Sequence, residues 1–539
     1  MPILDTRLVA HSEQYRSNRA ALLEQIAELR ALEQRTRDKS AVARALFDQR
    51  GQLLPRDRLA RLLDLGAPFL ELCTLAGYGL DHPDAARSIP GAGLVAGIGY
   101  VSGVRAMVVV DDAGIDAGAV QPMGIEKFQR VQKIAFDQKL PFIHLVECAG
   151  ANLLAYQVET FIHGGSGFYW LARLSAAGLP VISVVHGSST AGGAYMPGLS
   201  DYVVMVRERA RAFLAGPPLL KAATGEIASE EELGGAEMHA SVSGLADYLA
   251  QDDADAVRIA RELVAALDWN RALPQPERPY AAPCFDAEEL LGIAVPDHKK
   301  PLDMREVIAR IVDGSDFLEF KPDYGAATVT GHAAICGMRI GIITNNGPLD
   351  PAGASKATHF IQACCQSGTP LLYLQNTTGF IVGRASEQAG MIKHGAKMIQ
   401  AMANATVPRI TVHCGASFGA GNYGMAGRGF FPDFCFSWPN ARTAVMGAEQ
   451  AANTMAIVME GSMRRKGVEV DWQAIAGMRA KVIATFEKQS GVHYTSARLL
   501  DDGVIDPRDT RKLLAMVLSV CEEARRRTLH PVQFGVARP

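Results

Sequence analysis

Residues 180–195 and 408–423 carry one motif written twice, about 228 residues apart. Each copy opens on a proline (Pro180, Pro408) and runs through apolar and β-branched residues to a glycine (Gly187, Gly415). Each then ends in a small-residue turn closed by a tyrosine: Gly192 and Gly193 before Tyr195, Ala420 and Gly421 before Tyr423. A strand that passes through such a turn into a helix leaves backbone N–H groups unpaired and aimed at one spot, which suits an anion. Two such spots predict a chain that stabilises two separate oxyanions. Side chains offer little competing chemistry. Ser188 and Ser189 are not in a G-x-S-x-G elbow, and no H-E-x-x-H motif, metal-spaced carboxylate cluster or P-loop occurs. The nine cysteines include the adjacent pair Cys364 and Cys365 but no C-x-x-C, so neither a zinc ribbon nor a disulfide framework is expected. Cys148 and Cys414 lie near the turns with no base beside them in sequence and read as buried thiols. The remaining pattern is paired backbone donors, which suits enolate chemistry.

The elements that must position these turns are duplicated as well. Residues 60–64 with Phe69-Leu70-Glu71 recur as 309–313 with Phe317-Leu318-Glu319, and Val108–Asp112 recurs as Ile342–Asn346. The apolar run after Pro141 matches the run after Pro370, each about 38 residues before its turn. Short β-branched strands alternate with helical segments, which predicts wound β-α units, and prolines open strands at positions 141, 180, 370 and 408. A length of 539 residues suits two cores. The expected division is an N-terminal helical extension over 1–46, one domain over 47–290 and a second over 291–539. The polar, leucine-spaced helix within 11–46 is expected outside the core, and the Pro/Ala-rich stretch Leu273–Pro283 reads as a linker. Net charge of −3 gives no electrostatic case for nucleic acid or an anionic membrane. No apolar run is long enough to span a bilayer, and the N-terminus lacks a signal or presequence layout, so a cytoplasmic protein is expected.

Several stretches together resemble the carboxyltransferase (beta) subunits of biotin-dependent acyl-CoA carboxylases over nearly the full length. They are 90–99, 190–195, 215–225 and 233–237 in the first half, and 393–397, 417–425, 438–442 and 449–452 in the second. The second-half set looks like the methylcrotonyl-CoA and geranyl-CoA carboxylase branch more than the propionyl-CoA branch. The resemblance implies an α/β fold of two duplicated crotonase-like domains, each a ββα superhelix. It also implies a hexameric beta core whose active sites form between the N-domain of one subunit and the C-domain of its neighbour. By position, Gly192 and Gly193 would hold the acyl-CoA thioester enolate, and Gly150, Ala151, His163, Gly164 and Gly187 would bind substrate. Ala420 and Gly421 would hold the ureido oxygen of biotin, with Gly379, Phe380 and Gly419 beside it. Biotin would arrive on a separate biotin carboxylase/biotin carboxyl carrier alpha subunit, since this chain has no A/V-M-K-M site and only the fragment Ala396-Lys397-Met398. Carboxybiotin would release CO₂, its ring nitrogen would take the substrate proton, and the enolate would attack CO₂. No metal or nucleotide is implied for this chain.

Three departures from the branch pattern fall in loops. Residues 147–152 replace the usual Asp-Ser-Gly-Gly-Ala-Asn with Glu147-Cys148-Ala149-Gly150-Ala151-Asn152, residues 153–160 replace an acidic, arginine-containing loop, and 383–388 replace a Lys-Tyr-Glu segment. His163-Gly164-Gly165 stands where methylcrotonyl-type chains tend to have His-Phe-Gly and geranyl-type chains a glycine. A missing phenyl would open space for several methylenes; alternatively Gly164 permits a turn, with Phe168, Tyr169 or Trp170 refilling the space. Function therefore reads as carboxylation of a branched or longer acyl-CoA, methylcrotonyl- or geranyl-like. Open beside it stand a biotin-dependent decarboxylase component and a non-catalytic assembly subunit.

Overall fold

The structure is a computed structural model that describes residues 3–536, apart from 83, 151–156, 271–272, 274–277 and 298–299. The chain folds into two compact units. The first comprises residues 31–276, 497–499 and 520–539; the second comprises 1–30, 277–496 and 500–519.

The first unit is built on one mixed sheet. Its strands are β1 (Leu70–Glu71), β2 (Leu94–Val101), β3 (Val104–Asp111), β4 (Phe142–Cys148), β5 (Val181–Thr190), β6 (Tyr202–Val206), β7 (Arg211–Phe213) and β8 (Tyr248–Ala250). They lie in the order β1-β2-β3-β4-β5-β6-β8, with β7 pairing the far end of β5. The first three strands are antiparallel, and pairing from β3 onward is parallel. Val181–Val185 and Val203–Val206 are fully buried, as expected of parallel strands covered on both faces. Prolines 141 and 180 stand one residue before β4 and β5, where their carbonyls accept from Met107 and Phe142 on the neighbouring strands. A proline there costs the ladder no donor it needs.

The second unit repeats this plan. Strands β9 (Leu318–Glu319), β10 (Thr328–Ile335), β11 (Met338–Asn345), β12 (Leu371–Thr377), β13 (Arg409–Phe418) and β14 (Phe434–Ser437) follow the order β14-β13-β12-β11-β10-β9, and β15 (Arg442–Ala444) pairs the end of β13 as β7 pairs β5. The core beneath the sheet gathers Ile343, Phe360, Tyr373, Met398 and Met402.

The N-terminal helix Glu13–Ala41 corrects the sequence reading. Its leucine-spaced stripe lies inside, not outside, with Leu22, Ile26, Leu29 and Leu32 buried. In the second unit Asn18 donates its amide to the carbonyl of Gly292 at 3.0 Å. In the first, Ser40 donates to Asp112 at 2.6 Å. The low mean hydropathy of the helix hides a narrow stripe, because most of its other positions are charged or polar. Among the described residues, no helix is long and apolar enough to cross a membrane.

Candidate functional site

The first turn begins where β5 ends. Thr190 is the last strand residue, Ala191 takes a left-handed φ of 55°, and a 3₁₀ turn over Ala191–Ala194 leads into the short helix Tyr195–Gly198. The Ser189 hydroxyl donates to the carbonyl of Gly193 at 2.7 Å and ties the strand end to the turn. From β4, Cys148 pairs with Ser189 across the sheet. Its sulfur accepts the N–H of Gly150 at 3.3 Å. A Cβ on Gly150, whose φ is 86°, would lie 3.2 Å from the carbonyl of Thr190. A Cβ on Gly193 would meet both Cβ and Sγ of Cys148 at 3.2 Å. Gly150, Gly192 and Gly193 are thus brought to one place, with Gly192 at the surface and Gly193 buried.

The second turn is assembled the same way. β13 runs to Phe418, Gly419 takes a φ of 56°, and the helix Gly419–Gly424 follows. Thr377 pairs with Ser417 as Cys148 does with Ser189. The Thr377 hydroxyl accepts the N–H of Gly379 at 3.2 Å, as the Cys148 sulfur does from Gly150. A Cβ on Gly421 would approach Cα of Gly379 to 2.8 Å, so this glycine is set closer to its neighbour's backbone than Gly193 is. Ala420 is exposed, and the Phe380 ring is wedged between Gly395 and Gly424, 3.2 Å from where either would carry a Cβ. The duplicated turn therefore rests on a duplicated support, in which sulfur in one copy and hydroxyl in the other perform the same task.

Other predicted residues fall elsewhere. Gly187 is buried six residues before Gly193, and the carboxylate of Glu147 fills the place of its side chain, 2.5 Å from an ideal Cβ. It supports the turn from behind and does not line its surface. His163 is exposed, with Nδ1 3.4 Å from Glu126. Ala151 lies outside the described residues. Gly164 sits within the helix Val158–Ala176 with ordinary helical φ, so no turn requires a glycine there. A Cβ on it would lie 3.5 Å from Cδ1 of Ile125.

Phe168 occupies the same face of that helix one turn later. Its ring approaches within 3.5 Å of the Cβ position of Gly192 and stands 5.5 Å, centroid to centroid, from the ring of Tyr195. Sequence reading had Phe168 only as a filler of space; the i, i+4 spacing from Gly164 is the signal that marks both.

Side-chain chemistry at the turns is muted. Burial, with the nearby charge of Asp111, pushes the Cys148 thiol up to about 12, and burial alone raises Cys414 well above its ordinary value. Both are thiols, not thiolates, at neutral pH, so neither is a nucleophile as it stands. Among the described residues no group of histidine, cysteine or carboxylate side chains could hold a metal ion. Among the described residues, the turns can present backbone N–H groups to an oxyanion and little else.

Comparison with known proteins accords with this geometry. The carboxyl transferase domain family matches residues 48–536. The probable biotin-dependent acyl-coenzyme A carboxylase beta2 subunit of Mycobacterium tuberculosis is 52% identical over 87% of this chain and 88% of its own length. The biotin-dependent 3-methylcrotonyl-coenzyme A carboxylase beta1 subunit of the same organism is 46% identical over 92% of this chain and 93% of its own. Among solved structures, the beta subunit of P. aeruginosa geranyl-CoA carboxylase superposes with a TM-score of 0.93 at 52% identity, covering 99% of this chain and 100% of that one.

Proposed function

The chain belongs to the carboxyl transferase family, as a beta subunit of the biotin-dependent acyl-CoA carboxylase kind with two crotonase-like domains, and from that premise we propose that it carboxylates a branched or longer acyl-CoA, methylcrotonyl- or geranyl-like. The observation that carries this reading is the duplicated turn on its duplicated support. An enzyme that must stabilise an enolate and a ureido oxygen needs two oxyanion sites, and little side-chain chemistry beside them.

Gly192 and Gly193 hold the thioester oxygen as it becomes negative, with Gly150 against the same turn. Ala420 and Gly421, with Gly379, Phe380 and Gly419 around them, hold the ureido oxygen of biotin. Biotin, carried on a partner alpha subunit, supplies the carboxyl group and the ring nitrogen that takes the substrate proton. The residues around both turns suit that division, because among the described residues no thiol, hydroxyl or imidazole there is placed as a base. Six copies form the beta core, and the complex works in the cytoplasm.

Substrate size follows from the helix Val158–Ala176. With no side chain at Gly164, the face of the helix that carries Phe168 to the first turn is bare one turn earlier, above Ile125, which favours an acyl chain longer than methylcrotonyl. The test is to purify the chain with its biotinylated partner and assay ATP- and bicarbonate-dependent carboxylation over a panel of acyl-CoAs. The reading expects turnover with branched, α,β-unsaturated substrates, rising with chain length. Turnover confined to propionyl-CoA, or none in an assembled and biotinylated complex, contradicts it.

A further inference from the structure

Behind the first turn lies a buried ionic network that, among the described residues, its twin lacks. At Glu147 the pairing of β4 with β5 slips: Val146 pairs with Val185, but Cys148 pairs with Ser189, leaving extra β5 residues bulged opposite Glu147. The Glu147 carboxylate fills the hollow left by Gly187 in that bulge. Arg58 donates to Glu147 at 2.5 Å and, through Nε, to Asp253 at 2.8 Å. Gln52 donates to Glu147 at 3.1 Å and to the carbonyl of His186 at 3.2 Å. Asp253 in turn accepts from Nδ1 of His186 at 3.0 Å, the residue just before the bulge. Arg58 and Asp253 are each only 1% exposed and His186 not at all, so these charges are held away from water.

The second unit has the same sheet, the same slip between Gln375 and Thr377, and the same hollow at Gly415. There the hollow is filled by Asn376, whose Oδ1 would lie 2.5 Å from a Cβ on Gly415. The duplicated helix places Val307 where the first has Arg58, although Arg56 and Arg305 match and pair alike with Glu71 and Glu319. Both partners of the ion pair are thus replaced together. Shared folding needs do not account for a charge pair present in one copy only.

We propose that Glu147, Arg58 and Gln52 are positioning residues for the acyl-CoA half of the reaction. They fix the Gly187 bulge from behind and so set where the N–H groups of the following turn point. This rests on reading that turn as the acyl site. A buried ion pair is a weak device for stability but a stiff one for position, because a partner left alone keeps an unpaired charge away from water. Misplacement of reacting groups by about 1 Å can cost roughly 10²-fold in rate.

The test is Glu147→Gln in the assembled complex, which keeps the volume and removes the charge. The expected result is a fall of roughly 10- to 10²-fold in kcat for acyl-CoA carboxylation. KM for acyl-CoA should stay nearly unchanged, and substrate-independent loss of CO₂ from carboxylated biotin should persist. Should that variant fail to assemble, Gln52→Leu, which removes a donor shared by Glu147 and His186, should give the same split on a smaller scale. Unchanged or raised kcat overturns the proposal; a rise would mean the carboxylate acts on the enolate only as an unfavourable field. Equal loss of both half-reactions also overturns it, since that is general destabilisation. Gly193→Val in parallel keeps the two readings apart. If it leaves turnover intact, the acyl assignment of the turn fails; if it abolishes turnover while Glu147→Gln does not, only the present inference fails.

Discussion

Asp501 is a fully buried carboxylate. Burial raises it to about 6, against the opposing hydrogen bonds from Ser437, Ser496 and the Gly503 N–H. Because its folded value lies above the unfolded one, the folded state binds the extra proton, and stability falls as pH rises between about 4 and about 6. Chemical denaturation at a series of pH values should show that decline in the wild type and lose most of it in Asp501→Asn; an identical slope in both would assign the effect to another group. Asp253 behaves oppositely. Its burial is outweighed by the hydrogen bond and charge of His186 and by the guanidinium of Arg58, which hold it at about 2, so its contribution is lost only in strong acid.

At the scale of elements, the strands and their order in sequence were legible because β-branched runs opened by proline recur in register. The turns were legible because glycine and small residues recur with them. What was not legible depends on pairs far apart in the chain. Arg58 and Asp253 are separated by 195 residues, and nothing local marks either. The helix Val158–Ala176 was obscured for another reason: Gly164 reads as permitting a turn, yet it lies within the helix, as do Gly165 and Gly167. Its far end is tied by the C-terminal tail, where Val532 N–H donates to the carbonyl of Ala176 at 2.9 Å and Val536 N–H to the Ser175 hydroxyl at 3.0 Å. A helix anchored so, with ordinary backbone at Gly164 and Ile125 at contact distance, can accept a larger side chain without unfolding. Gly164→Phe should therefore retain assembly and depress carboxylation of geranyl-like substrates far more than of methylcrotonyl-like ones. Discrimination of about 1–3 kcal/mol is typical of small size changes in an apolar pocket. Equal losses for both substrates, measured as kcat/KM, would remove Gly164 from the acyl pocket.

For the whole molecule, duplication is the organising fact: one scaffold, copied, carries two turns of the same build, which the proposed function assigns to two chemically different oxygens. The copies differ behind their turns, in Cys148 against Thr377, Glu147 against Asn376 and Arg58 against Val307, while keeping the strand–turn–helix frame. The glycines also differ in tolerance. A Cβ at Gly193 meets Cys148 at 3.2 Å, so alanine is accommodated by a small shift and valine is not; a Cβ at Gly421 meets backbone at 2.8 Å, so alanine alone forces the turn to move. The most direct test of the two-oxyanion account follows the partial reactions separately on assembled complexes of Gly193→Val and Gly421→Ala. The account predicts a crossed result. Gly421→Ala loses carboxyl transfer and the loss of CO₂ from carboxylated biotin while acyl-CoA binding stays near wild type. Gly193→Val lowers acyl-CoA-dependent steps by roughly 10²-fold or more and spares the slow, substrate-independent loss of CO₂. If both variants lose acyl-CoA binding alike, the two turns share one ligand and the division of labour is wrong.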